Sequence, residues 1–212
     1  MLTGGMTLQL TRINICIFAS GNGTNAINLI RESKKYGHIK VVGLLCDNPS
    51  ADILQKIKPF DIPALVVPFK GNKLSHEKEI LAQLSHLDIH WIFLAGYMRI
   101  LSANFINQFK LSGERSRIIN IHPSLLPAFK GKDAYQQAFD SGVSQSGVTI
   151  HLVDSGIDSG EVILQEAFLR LDTDTFPDFK SRGMQLEYLL YPQVLKMISQ
   201  NSIDFNKDIA HD

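Results

Sequence analysis

The chain of 212 residues is poor in cysteine, has a single tryptophan and carries no excess of charge. Its two cysteines, Cys16 and Cys46, are too few for a disulfide framework and too far apart for a metal motif. Both lie in apolar runs that read as buried strands, where a thiol behaves as a small hydrophobe in a reducing, cytoplasmic setting. The 21 basic and 21 acidic residues are dispersed, so no basic stripe points to nucleic acid and no block of like charge to a tail. No apolar run reaches the roughly 18 residues that a bilayer crossing needs. The opening residues lack the basic and apolar regions of a signal peptide. Residues 1–12 therefore read as a flexible extension, with Met6 a possible alternative start, and residues 201–212 as a frayed tail. No membrane, nucleic acid or metal is expected as a partner. With 44% of its residues apolar, the chain between those ends has enough material for one sizeable core.

Along residues 13–120, short apolar strands alternate with helical patterns. Strands are expected at Ile13–Ala19, Val41–Cys46, Ala64–Val67, Trp91–Leu94 and from Ile118. Helices are expected over Thr24–Tyr36, Asp52–Lys58, Ser75–His86 and Ser102–Phe109. Such alternation builds a parallel α/β sheet of Rossmann-like type, with order 3-2-1-4-5. The remainder changes character. After a helix near Asp133–Ser141, two strands at Gly147–Val153 and Val162–Arg170 flank a glycine-punctuated loop, which predicts an antiparallel addition to the sheet. A helix from Thr175, a candidate N-cap, to about Ser199 contains Pro192, which should kink or split it.

The chain is organised around Ile118-Ile119-Asn120-Ile121-His122-Pro123-Ser124-Leu125-Leu126-Pro127. Residues two apart in a strand share a face, so Asn120 and His122 project side by side. Pro123 stops the strand, which sets the pair at the carboxyl end of a central strand, where open sheets take ligands. Ser20-Gly21-Asn22-Gly23-Thr24-Asn25 joins the first strand to the first helix and offers backbone N–H groups to an anion. Gly21, Gly23 and Ala26 also fit the looser dinucleotide pattern, with Asp47 at the ribose-binding distance, while a plain structural turn would recruit the same glycines. The loop Gly96-Tyr97-Met98-Arg99-Ile100-Leu101 would face this turn across the crevice and suits a flat heterocycle, unless Met98, Ile100 and Leu101 are simply core. Asp158 beside His122 would hold and pass a proton, and the Asn120 amide would serve an oxyanion. Asp154 is the competing carboxylate or a turn residue. His151 is either a supporting group or a satisfied core histidine. These motifs hold no candidate serine or cysteine nucleophile, so the attacking group would belong to a substrate.

In their order and spacing, from about Ile13 to about Ser199, these stretches together resemble the glycinamide ribonucleotide formyltransferase family of purine synthesis. The Asn120-to-Pro127 element is specific to enzymes that use formyltetrahydrofolate. The resemblance implies a single formyltransferase domain over 13–200 and a cytoplasmic monomer or homodimer. It implies transfer of the formyl group of 10-formyltetrahydrofolate to the amine of glycinamide ribonucleotide, with no metal. It carries the catalytic roles to Asn120, His122 and Asp158. Substrate phosphate falls to Gly23, Thr24 and Asn25, and the ribose hydroxyls to Glu187. The folate pocket falls to Met98, Arg99, Ile100, Leu101, Val153 and Asp154, with Arg99 and Leu101 acting mainly through backbone groups and His151 in support.

Three places depart from the family pattern. Met184 replaces a polar or basic residue, Tyr188 stands where a histidine commonly follows the glutamate, and Asp158-Ser159-Gly160-Glu161 replaces Asp-Gly-Gly-Pro. Three readings compete with the transferase. Formyltetrahydrofolate deformylase shares the catalytic three but adds an N-terminal regulatory domain. Methionyl-tRNA formyltransferase adds a C-terminal tRNA-binding domain. A dinucleotide-dependent oxidoreductase would use Gly21, Gly23, Ala26 and Asp47, and would leave Asn120, His122 and Asp158 without a role.

Overall fold

The computed structural model describes residues 12–111 and 115–200. The expected terminal extension and tail lie outside these residues, apart from Arg12. One seven-stranded sheet has the order β3-β2-β1-β4-β5-β6-β7. Its strands are β1 (Ile13–Ala19), β2 (Ile39–Cys46), β3 (Ala64–Val66), β4 (Trp91–Leu94), β5 (Ile118–His122), β6 (Gln145–Leu152) and β7 (Val162–Leu169). The first five pair in parallel, and β6 and β7 each run antiparallel to the neighbour before. The predicted 3-2-1-4-5 order with an antiparallel addition is the order found.

Helices α1 (Thr24–Ser33), α2 (Ile53–Lys56), α3 (Lys73–Leu84), α4 (Ala103–Asn107), α5 (Ala134–Asp140) and α6 (Phe176–Ser199) complete the fold. The helix expected over Asp52–Lys58 breaks into α2 and a 3-10 turn at Lys58–Phe60, because Pro59 has no N–H and disfavours helical backbone before it. Strand alternation divides the core. Ile15, Ile17, Ala19, Ile119 and Ile121 point to one face, where α1 and α6 cover them. Cys16, Phe18, Ile92, Leu94 and Ile118 point to the other, covered by α3 and α4. Each isoleucine, leucine or phenylalanine among them, removed from water, contributes about 1.5–3 kcal/mol.

Of the kink or split expected at Pro192, the split does not occur: α6 is continuous through it. The proline removes the N–H that would have bonded the Tyr188 carbonyl four residues back. That carbonyl accepts instead from Asn28 Nδ2 at 2.6 Å, so a polar side chain of α1, itself buried, replaces the missing bond. At its start α6 has the expected Thr175 cap, completed as a capping box by Asp178. Next to Pro192, the fully buried Tyr191 hydroxyl lies 2.9 Å from the Leu94 carbonyl and 3.1 Å from that of Ile119, which ties α6 to β4 and β5. No helix among the described residues is long and apolar enough to cross a membrane.

Candidate active site

On β5, Ile119 and Ile121 are buried toward α6, so Asn120 and His122 occupy the opposite face. The antiparallel register sets His151 opposite Asn120 and Thr149 opposite His122. After Pro123 the chain curls back. Ser124 Oγ donates to the Ala128 carbonyl at 2.6 Å, and Thr149 Oγ1 donates to the Ser124 carbonyl at 2.7 Å. Phe129, at a left-handed φ of 53°, then presents its carbonyl to His122 Nε2 at 2.8 Å.

The other ring nitrogen, Nδ1, is 3.3 Å from Asp158 Oδ2. A carbonyl and a carboxylate are both acceptors, so the ring satisfies them together only when both nitrogens carry hydrogens. Asp158 arrives from the loop after β6, also at positive φ, and its Oδ2 accepts from the Gly131 N–H at 2.8 Å. Its Oδ1 is 3.7 Å from His151 Nε2.

His151 is buried and held through both ring nitrogens. Its Nδ1 is 2.9 Å from the Leu152 carbonyl and can only donate there, which leaves Nε2 as an acceptor for Asn120 Nδ2 at 3.2 Å. Burial holds its pKa below the usual 6.5, in keeping with this neutral tautomer. One amide hydrogen of Asn120 is thus taken and the amide plane is fixed.

The loop that carries Asp158 is tightly folded. The Asp154 carboxylate accepts from the Gly156 N–H at 3.0 Å and from Ser159 Oγ at 2.8 Å, so that side chain acts as a turn residue. A Cβ on Gly160 would lie 1.8 Å from the Leu152 carbonyl oxygen, so the loop closes only with glycine there. Glu161 forms a two-pronged pair with Arg115, at 2.7 and 3.0 Å. Val153 packs at the margin of the α3–α4 core and its N–H bonds the Ile118 carbonyl at 2.8 Å.

The segment from Gly96 to Ser102 is held from behind. Ser20 Oγ accepts from the Met98 N–H at 2.9 Å, and Arg99 Nε pairs with Asp47 at 2.7 Å while its guanidinium lies over the Phe69 ring. The Ser102 N–H donates to the buried Glu77 at 2.7 Å, and the Ser102 hydroxyl donates to the same carboxylate. Leu101 is core, but Met98 and Ile100 are 73% and 60% exposed, so the plain-core reading holds for only one of the three. The pairing takes Arg99 Nε, while the side chain stays 42% exposed. Asp47, the ribose ligand of the dinucleotide reading, is buried in that ion pair and does not present its carboxylate to a ribose.

In the glycine turn, Gly23 is left-handed at φ 74°, and a Cβ there would lie 2.3 Å from Ile53 Cδ1. Thr24 is exposed at the start of α1. Asn25 Nδ2 donates to Glu187 Oε2 at 2.6 Å, and the Tyr135 hydroxyl donates to Oε1 at 2.5 Å. Burial pushes the Glu187 carboxyl above its usual range, against the pull of those two donors. Met184 and Tyr188, the departures on α6, are both exposed.

The structure thus brings Asn120, His122, His151 and Asp158 into one cluster, and Asn25 and Glu187 into a second. Sequence reasoning missed Tyr135, the Phe129 carbonyl and Glu77. Only Gly183, a glycine inside a helical pattern, hinted at a close neighbour for α6.

The formyl transferase family model matches residues 13–195, a span that holds every residue of both clusters. The chain belongs to the formyl transferase family. It is 38% identical over 185 residues to the phosphoribosylglycinamide formyltransferase of Bacillus subtilis, covering 86% of this chain and 92% of that protein. It is 34% identical over 208 residues to the trifunctional purine biosynthetic protein adenosine-3 of Drosophila melanogaster, covering 96% of this chain but only 15% of that much longer one. The crystal structure of glycinamide ribonucleotide transformylase 1 from Geobacillus kaustophilus superposes with a TM-score of 0.81 at 40% identity, over 88% of this chain and 98% of that one. As a formyl transferase, the chain combines an amide donor, an imidazole and a carboxylate, which suits attack on a carbonyl carbon. Ser124, in the loop after β5, has its Oγ bonded to the Ala128 carbonyl.

Proposed function

We propose that the protein transfers the formyl group of 10-formyltetrahydrofolate to the amine of 5-phosphoribosylglycinamide, in purine biosynthesis. The observation that carries this reading is the meeting of Asn120, His122 and Asp158 at the end of β5. The similarity to phosphoribosylglycinamide formyltransferase along nearly the whole chain supports it.

The substrate amine attacks the formyl carbon, and the carbonyl oxygen becomes an oxyanion. The second amide hydrogen of Asn120 and the charge of protonated His122 stabilise it. For His122 to donate to the oxyanion, Nε2 exchanges the Phe129 carbonyl for the new and more basic acceptor. Asp158 sustains the imidazolium and relays a proton from the amine, through water, to the departing folate nitrogen. A C–N bond to the substrate forms as the C–N bond to the folate breaks, giving formylglycinamide ribonucleotide and tetrahydrofolate. Gly23, Thr24 and Asn25 hold the phosphate at the start of α1, and Glu187 accepts from the ribose hydroxyls. Backbone groups at Met98, Arg99, Ile100 and Leu101, with Val153 and Asp154, line the folate pocket. Two small-molecule substrates, no nucleic acid and a cytoplasmic monomer or homodimer accompany the reading.

The test follows absorbance of the tetrahydrofolate-side product from purified protein and 10-formyltetrahydrofolate, with and without the ribonucleotide. Turnover that requires the ribonucleotide is expected. Equal turnover without it would make the protein a hydrolase and overturn the reading.

A further inference from the structure

We infer that Tyr135 is a positioning residue that holds Glu187 as an oriented acceptor for two adjacent pentose hydroxyls, and that Gly183 provides the space its ring needs. The inference rests on the proposed transferase reading, in which Glu187 meets the ribose. A carboxylate offers about four acceptor directions. Asn25 takes one on Oε2 and Tyr135 one on Oε1, which leaves one on each oxygen, side by side, as a vicinal diol requires. A tyrosine hydroxyl beside a carboxylate donates, so it fixes the group while occupying a single acceptor direction.

The ring is built in place. It is buried, meets Phe179 edge-on at 6.4 Å, and belongs to the small aromatic cluster under α5. On α6, a Cβ at Gly183 would lie 2.3 Å from Tyr135 Cε1 and 2.7 Å from its oxygen. Glycine is unfavourable inside a helix, and at this buried position the close approach of the ring accounts for it.

The test measures KM for the ribonucleotide and for the formylfolate, and kcat, in Tyr135→Phe, Gly183→Ala, their double variant and Glu187→Gln. Tyr135→Phe keeps the ring and removes the hydroxyl. We expect the ribonucleotide KM to rise about tenfold, as loss of a hydrogen bond to a charged group does, and by a much larger factor than the formylfolate KM. Gly183→Ala displaces the ring and should raise the same KM, yet add less than about twofold on the Phe background, because the bond it disturbs is already gone. Independent, multiplying effects would overturn the inference, since a general packing defect acts in both backgrounds. If Glu187→Gln raises the ribonucleotide KM and Tyr135→Phe does not, Tyr135 has no positioning role and the reading of Glu187 stands. If Glu187→Gln leaves that KM unchanged, both fall. Should the Phe variant not fold, a Gly183→Ala protein with unchanged ribonucleotide KM overturns the inference by itself.

Discussion

Replacing Asp158 by Asn tests the catalytic cluster with little change of shape. Position 158 is left-handed, which asparagine tolerates at least as well as aspartate, and the amide oxygen can still accept from the Gly131 N–H. What is lost is a charge 3.3 Å from the His122 ring, in a pair whose side chains are 5% and 14% exposed. At an effective dielectric of about 20, unit charges at that separation attract by about 5 kcal/mol. The carboxylate gives back part of this as relief from desolvation, and the amide dipole retains part, so about 2–4 kcal/mol of transition-state stabilisation should go. That is a fall of about 30- to 1,000-fold in kcat at saturating substrates. The assay is the formylfolate absorbance change with ribonucleotide present, and thermal melting checks that the variant is folded. A folded variant with kcat within threefold of wild type would refute the argument, because the carboxylate would then neither sustain the imidazolium nor carry the proton.

Two other perturbations probe the supports of the site. Ser102→Ala removes the α4 cap and one of two donors to the buried Glu77, and should lower unfolding free energy by about 2 kcal/mol in a denaturant titration; a loss under about 0.5 kcal/mol would mean the segment is held by other contacts. His151 has a folded pKa below its unfolded 6.5, so its contribution is complete above pH 6.5 and is lost as pH falls below it. The wild type should therefore lose more stability between pH 7.5 and 5.5 than His151→Gln does, and equal losses would show that the histidine is not buried as a neutral ring.

The sheet was legible because apolar runs of strand length alternated with helical spacing, and because Pro123 marked where β5 must end. The register that pairs Asn120 with His151 was beyond reach of one strand's pattern, since it depends on how β6 turns back. Nothing in the spacing of His122 and Asp158 told that the intervening chain returns. The resemblance alone supplied that pairing, and Asp154, the competing carboxylate or a turn residue by its pattern, closes its own loop. Met98 and Ile100 read as core or as ligand contacts on the same hydrophobicity; their exposure follows from the pins behind the backbone. Pro192 was judged on its missing N–H alone, without the Asn28 amide that takes the orphaned carbonyl.

The pinning of residues 96–102 also bears on inhibition. A compound that hydrogen-bonds the main chain of this segment reads atoms common to every amino acid, so exchanging the exposed Met98 or Ile100 leaves its polar contacts in place. Escape would have to pass through the anchors, the buried Ser20, Asp47 and Glu77 or the half-buried Ser102. Each of those substitutions breaks a hydrogen bond or ion pair that pins the segment, and would weaken the fold as it moved the loop. Resistance and loss of the enzyme are thus coupled at this edge of the cleft, whereas a compound that leaned on the two exposed side chains would be easily evaded.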